Sequence, residues 1–144
     1  MRKVFSALFS IVLAAGLAGC HRAPDEVRIR QAIESARLAA TETDAGRLTD
    51  VLSEDFDGND GTMSRKDLGN LLRLARFRGE SVRAVMGPIT VEPRGDRYVA
   101  TFTITLGSGG KLFPAELGVF EVETGWRREG REWHCYTARW KHQL

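Results

Sequence analysis

Apolar residues are arranged in three ways along this chain. They form an unbroken run at the start, recur at helical spacing through the middle, and alternate with polar residues toward the end. Val4 to Leu17 is apolar apart from Ser6, Ser10 and Gly16. That run is shorter than the ~20 residues a bilayer-spanning helix needs. From Asp25 the spacing is helical. Ile29, Ile33, Ala36 and Ala40 fall on one face. Asp25 and Glu26, after Pro24, suit the positive end of a helix dipole, and Glu26 and Arg30 form a favourable i,i+4 pair. Asp44 and Gly46 interrupt the pattern. A short second helix follows with Leu48, Val51 and Leu52, then a polar loop from Asp57 to Thr62. Ser64 is placed to cap a third helix, with Asp67 where a capping box carries its acidic residue. Leu68, Leu71, Leu72 and Ala75 make its apolar face, and Gly79 ends it. Arg73, Arg76 and Arg78 gather near its C-terminus. They read first as a solvated face and second as an anion or lipid-headgroup patch.

The period then becomes two. Residues 82–92 form a strand broken at Gly87-Pro88, because proline has no ladder donor. Pro93 to Asp96 is a turn. Across 97–107, Tyr98, Ala100, Phe102, Ile104 and Leu106 share one face, and Thr101, Thr103 and Thr105 share the other. Gly107 to Gly110 is a loop. A third strand over 115–128 carries Phe120, Val122 and Trp126 in register. After a turn at Glu129-Gly130-Arg131, residues 132–141 form the last strand, with Tyr136, Ala138 and Trp140 on one face. Helices first and a meander afterwards predict an α+β domain, with three helices packed on one face of an antiparallel sheet.

The first twenty residues are an address. Arg2 and Lys3 precede the apolar run, and small residues close it, as in a secretory signal. The ending Leu17-Ala18-Gly19-Cys20 resembles the lipobox of bacterial lipoproteins. The resemblance implies cleavage between Gly19 and Cys20, a diacylglyceryl thioether on the Cys20 sulfur, and acylation, as by palmitate, of the new amine. Two or three acyl chains hold firmly where one is marginal. The implied division is a signal peptide over 1–19, a lipidated tether over 20–24 and one domain over 25–144. His21 stands where an Asp favours inner-membrane retention in many Gram-negative species. The expected location is therefore the outer membrane, facing the periplasm. At ~3.5 Å per extended residue the tether reaches under ~20 Å.

Losing residues 1–19 from the 144 leaves 125, enough for one domain with a real core. Two of the 21 Lys and Arg lie in the signal, so 19 remain against 19 Asp and Glu. A neutral chain argues against nucleic acid as partner. With Cys20 lipidated, Cys135 has no thiol to pair with. It reads as a buried structural thiol, with a reactive nucleophile as the alternative.

Leu52-Ser53-Glu54-Asp55-Phe56 after the second helix, together with the hairpin Trp126-Arg127-Arg128-Glu129-Gly130-Arg131-Glu132-Trp133 running on to Ala138-Arg139-Trp140, resembles the nuclear transport factor 2-like superfamily. Its members include SnoaL-like cyclases and ketosteroid isomerase. The similarity covers about residues 25–142. It implies a cystatin-like cone, in which a curved sheet wraps a long helix and leaves a pocket at the open end, and it implies homodimers through the sheet. In isomerase-like members a base Asp lies just after the second helix. Asp57 or Asp60 stands in that region here, but the only tyrosines are Tyr98 and Tyr136, so the oxyanion-hole pattern is not matched.

Asp55 to Gly61 has oxygen ligands at alternate positions, as a calcium loop requires. Counted from Asp55, position 6 is Asp60 and position 12 is Lys66; counted from Asp57, position 12 is Leu68. Neither register supplies the glycine and bidentate glutamate. His21, His134 and His142 are dispersed, the last two ~27 Å apart at normal strand rise. No Ser-His-Asp, nucleotide-binding or zinc pattern occurs, so no metal and no cofactor are expected. Trp126, Trp133 and Trp140 either fill the wide end of the cone or line a pocket. In the second case Asp57, Tyr98, Trp126 and Trp140 are its candidate residues. The functional expectation is a non-catalytic binding or envelope-assembly module anchored through Cys20, with an envelope protein or apolar small molecule as partner. The alternatives are a carrier of an apolar ligand, or a small isomerase, lyase or hydrolase with Asp57 or Asp60 as general base.

Overall fold

A computed structural model of the chain describes residues 24–108 and 118–143. The signal, Cys20, His21 and residues 115–117 of the expected third strand lie outside the described residues. Helices α1 (Asp25–Thr41) and α2 (Ala45–Asp50) lead into strands β1 (Leu52–Gly58) and β2 (Met63–Ser64). Helix α3 (Arg65–Phe77) follows, then β3 (Val82–Met86), β4 (Thr90–Arg94), β5 (Arg97–Ser108), β6 (Val119–Glu129) and β7 (Glu132–Gln143).

The helices begin where their caps dictate. Asp25 and Glu26 occupy the first turn of α1, and Ile29, Ile33 and Ala39 are its buried residues. The Asp44 carboxylate accepts the Arg47 N–H at 3.0 Å and so starts α2. Both arms of a capping box start α3. The Asp67 N–H donates to Ser64 Oγ at 3.1 Å, and the Ser64 N–H donates to Asp67 Oδ2 at 2.9 Å. Aspartate thus does the work usually given to glutamate, and the Ser64–Asp67 pair satisfies two backbone donors reciprocally.

The sheet runs β2-β1-β7-β6-β5-β3, with β4 also on β5. Strands β3 and β4 occupy two halves of the same β5 edge: Val82 to Met86 pair with 104–108 and Thr90 to Arg94 with 97–101. They are one strand interrupted at Gly87-Pro88, as the missing proline donor requires. In the β5–β6 ladder Tyr98 faces Trp126, Phe102 faces Val122 and Ile104 faces Phe120. The alternating faces read from the sequence are therefore the ones the sheet uses here.

Two expectations are corrected. Leu52 does not continue the second helix, and residues 57–58 do not belong to a loop. Residues 52–58 form β1, which lies parallel to β7, so the sheet is mixed rather than wholly antiparallel. A donor and an acceptor that an open β7 edge would leave unpaired are satisfied here: Cys135 N–H donates to the Val51 carbonyl, and the Ala138 carbonyl accepts from Asn59 N–H, both at 2.9 Å.

The second correction concerns Tyr136. Gly125 pairs with Thr137 and Trp126 with Cys135, so Tyr136 is the extra residue of a β-bulge. Cys135 and Ala138, three apart, are both buried, whereas Tyr136 turns to the face opposite Trp126. There it covers Gly125, where a Cβ would stand 3.0 Å from its ring and 2.7 Å from Thr137 Cγ2. The core lies between α1 and the inner face of the sheet. Ile29, Ile33, Phe56, Ala100, Trp126 and Trp133 form its centre.

Candidate functional site

Burying the inner face of the sheet under α1 and α3 does not fill the space between them. A cavity of about 200 Å³ remains, walled by Ile33, Phe56, Leu68, Phe102, Trp126 and Trp140 among others. A second apolar hollow of about 230 Å³ shares Leu68, Ile104, Leu106 and Trp140 with it and extends toward Phe120 and Val122. Trp140 reaches this position because Gly58, on the neighbouring strand, has no side chain. A Cβ there would stand 2.8 Å from Trp140 Cη2. The Trp140 N–H is held by Asn59 Oδ1 at 2.8 Å.

Three polar side chains line the main cavity, and each is engaged. The Thr124 hydroxyl accepts from Trp126 Nε1 at 2.8 Å and donates to the Ala100 carbonyl at 3.0 Å. Arg37 donates from Nε to Glu34 at 2.9 Å and from Nη1 to the Ala84 carbonyl at 3.1 Å. The Glu34 partnership raises its pKa further. The Cys135 thiol is pushed up to about 12 by burial, and it points to the Thr137 carbonyl at 3.2 Å. It is neutral, so the structural reading of Cys135 fits its place better than the nucleophilic one.

Of the four residues expected to line a pocket, this cavity takes Trp126 and Trp140 and leaves out Asp57 and Tyr98. Asp57 is exposed, its Oδ1 accepting the Gly61 N–H at 2.6 Å. Asp60 is also outside the cavity, 3.0 Å from Arg139. Asp55 lies 2.5 Å from Arg127, whose hydrogen bond and charge hold its carboxyl below the usual range. The three carboxylates of the calcium-like stretch thus have separate partners. Among the described residues no three His, Cys, Asp or Glu side chains group closely enough to hold a metal. His134 Nδ1 is 3.7 Å from Glu129, and His142 stacks edge-on against Phe120 at 5.0 Å.

Tyr98 lies elsewhere, edge-on to Trp133 with 5.2 Å between ring centroids. Both line a polar hollow of about 530 Å³ with Asp25, Arg97, Arg127 and Arg128. The Asp25 carboxylate accepts from Trp133 Nε1 at 3.0 Å and from Arg128 at 2.9 Å. The Trp133 hydrogen bond, then the charges of Arg128 and Arg28, lower its pKa. The sequence reading did not single out this group. Its members are local neighbours only in pairs, and the signal in the sequence was two arginine-bearing turns in an otherwise alternating region.

No family model matches the chain, and no curated protein sequence matches it. Solved structures do. An NTF2-like protein from Cytophaga hutchinsonii superposes with a TM-score of 0.71 at 13% identity, over 83% of this chain and 99% of that one. An NTF2-like protein of unknown function from Pseudomonas putida gives 0.66 at 19%, over 83% and 87%. A protein with a cystatin-like fold from Nostoc punctiforme gives 0.64 at 12%, over 83% and 91%. The fold is thus the NTF2-like, cystatin-like α+β cone with a curved, unclosed sheet.

Proposed function

We propose that this protein is a lipid-anchored, non-catalytic binding module of the bacterial cell envelope whose cone holds an apolar small molecule. One observation carries the binding half of this reading. The cavity beneath α1 is walled mostly by apolar side chains, and the Arg37, Thr124 and Cys135 side chains in the wall are engaged with the protein itself. Such a space favours an apolar occupant by burial. It offers no free acid, base or nucleophile, and Asp57 and Asp60 stand outside it. The fold does not decide between binding and catalysis, because function resides in the site grafted on it.

The anchoring half rests on the signal and on Leu17-Ala18-Gly19-Cys20. No helix among the described residues is long and apolar enough to cross a membrane. In this reading the acylated Cys20 is the attachment, at the outer membrane facing the periplasm.

Native mass spectrometry of the protein extracted from bacterial envelopes in mild detergent tests both halves. The expected spectrum shows a chain beginning at Cys20 with acyl chains, together with a species carrying a retained apolar molecule. A chain that is acylated but empty, and stays empty when offered envelope lipid extract, would overturn the binding half. A chain retaining residues 1–19, or an unmodified Cys20, would overturn the anchor.

A further inference from the structure

Three arginines from two turns meet at the end of the sheet where α1 begins. Arg97 follows the β4–β5 turn, and Arg127 and Arg128 precede the β6–β7 turn. Each guanidinium lies over an aromatic ring. Arg97 and Arg127 are 4.8 and 5.5 Å from the Tyr136 centroid, and Arg128 is 5.1 Å from that of Trp133. The β-bulge makes this arrangement, because it delivers the Tyr136 ring to the outer face between two arginines. Stacking fixes a guanidinium plane and leaves its N–H edge free for oxygen ligands.

The three line one hollow of about 530 Å³ together with Asp25 and Asp96. The acids are unevenly distributed. Asp25 is taken by Arg128 and Trp133. Arg127 is held by Asp55 at 2.5 Å and by Glu129 at 3.4 Å. Arg97 has no carboxylate partner among the described residues, and Asp96 is exposed. Arg127, held through all three nitrogens by Asp55 and Glu129, is a fixed wall, whereas Arg97 and Arg128, the latter giving Nη2 to Asp25, suit a monoanion with two equivalent oxygens. A phosphodiester has that charge and geometry.

The place of the hollow selects the source of the phosphodiester. Asp25 is both a wall of the hollow and the first residue of α1. Resting on the anchor proposed above, only residues 21–24 then separate it from acylated Cys20, a reach under ~20 Å. A tether that short holds this end of the domain at the bilayer surface, where lipid phosphates are at high effective concentration.

We propose that the hollow bounded by Arg97, Arg127 and Arg128 binds the phosphodiester of an anionic membrane phospholipid and seats this end of the cone on the bilayer. The test uses the mature acylated protein in phosphatidylcholine vesicles, with and without phosphatidylglycerol, and reads backbone hydrogen exchange at 94–97 and 127–132. Each basic residue near an anionic surface shifts the equilibrium between docked and undocked forms about fivefold, and exchange slows as the docked form is populated. The slowing should occur with phosphatidylglycerol and fall by up to about fivefold in Arg97→Gln and in Arg128→Gln. Equal exchange on both vesicles, or slowing that neither substitution reduces, overturns the proposal. Equal slowing when glycerophosphoglycerol, the free diester headgroup, is added to phosphatidylcholine vesicles overturns the lipid as the source. An intact mass without acyl chains at Cys20 is a different failure, that of the anchor, and is read from the same sample before exchange begins.

Discussion

The Trp126 indole N–H donates to the Thr124 hydroxyl, two residues earlier on the same strand, at 2.8 Å, and that hydroxyl donates onward to the Ala100 carbonyl at 3.0 Å. Trp126 is only 2% exposed and Thr124 6%, so neither group has water to fall back on. Thr124→Val keeps the shape and leaves the indole donor unpaired. It should destabilise the fold by about 1–3 kcal/mol, seen as a lower urea midpoint at unchanged slope. A loss below about 0.5 kcal/mol would show that the pair is dispensable.

Gly125 is the position that lets the bulge close. A methyl group there would meet Thr137 Cγ2 at 2.7 Å and the Tyr136 ring at 3.0 Å. Gly125→Ala should cost about 1–3 kcal/mol. Adding Thr137→Ser, which removes Cγ2, should recover part of it. Strict additivity of the two substitutions in a double-mutant cycle would mean that the strain lies elsewhere.

Cys135 provides a test at alkaline pH. Its folded pKa is raised from 9.0 to about 12 by burial, so the folded state holds the proton more tightly than the unfolded one. The stabilising difference is complete below 9 and is lost as pH rises toward 12. Thermal melts should show stability falling across that interval, and Cys135→Ala should flatten this part of the curve. Native protein at pH 8 should also resist thiol reagents until unfolded; rapid labelling of the folded chain would contradict the burial.

At acid pH the sign is opposite. Asp25 has its pKa lowered below 3.8 by the Trp133 hydrogen bond, Arg128 and Arg28. Its contribution is present above 3.8 and disappears as pH falls through the lowered value. Asp25→Asn should therefore be less stable than the parent at neutral pH, with the gap closing in acid. A gap that is constant with pH would assign the effect to packing instead of charge.

Ala36 lines the cavity from α1. Ala36→Leu places three more carbons in it at little cost in helix propensity. If the cone binds an apolar probe, affinity should fall by about tenfold or more, since one misfitted methylene is worth ~1–3 kcal/mol. Titration with a solvatochromic apolar dye reads this directly. Undiminished affinity would place the dye outside the cavity.

Most of the architecture was legible because local chemistry and tertiary packing agree in it. Asp25, Ser64 and Asp67 marked helix starts, Gly87-Pro88 marked the interruption of a strand, and β5 alternates from Ala100 to Leu106. What escaped was non-local. Strand β1 has burial at Leu52, Ser53, Phe56 and Gly58, a spacing that fits neither period, and its partner lies some eighty residues away. The bulge at Tyr136 shifts the face of every residue before it relative to those after it, and alternation alone assigns Tyr136 to the wrong side. For the site, Trp126 and Trp140 were placed by strand parity. Tyr98 shares that parity but sits at the other end of the cone, and parity says nothing about which end is hollow.

The pairing of β1 with β7 also sets an order of events during synthesis. A ribosome-bound chain still short of residue 132 has its helices and strands β3 to β6, but the strand that separates β1 from β6 does not yet exist. The Asp25 carboxylate likewise lacks its Trp133 donor until then. Closure of the sheet is therefore a late, long-range step, of the kind that slows folding. The sheet stays open until its final strand has emerged.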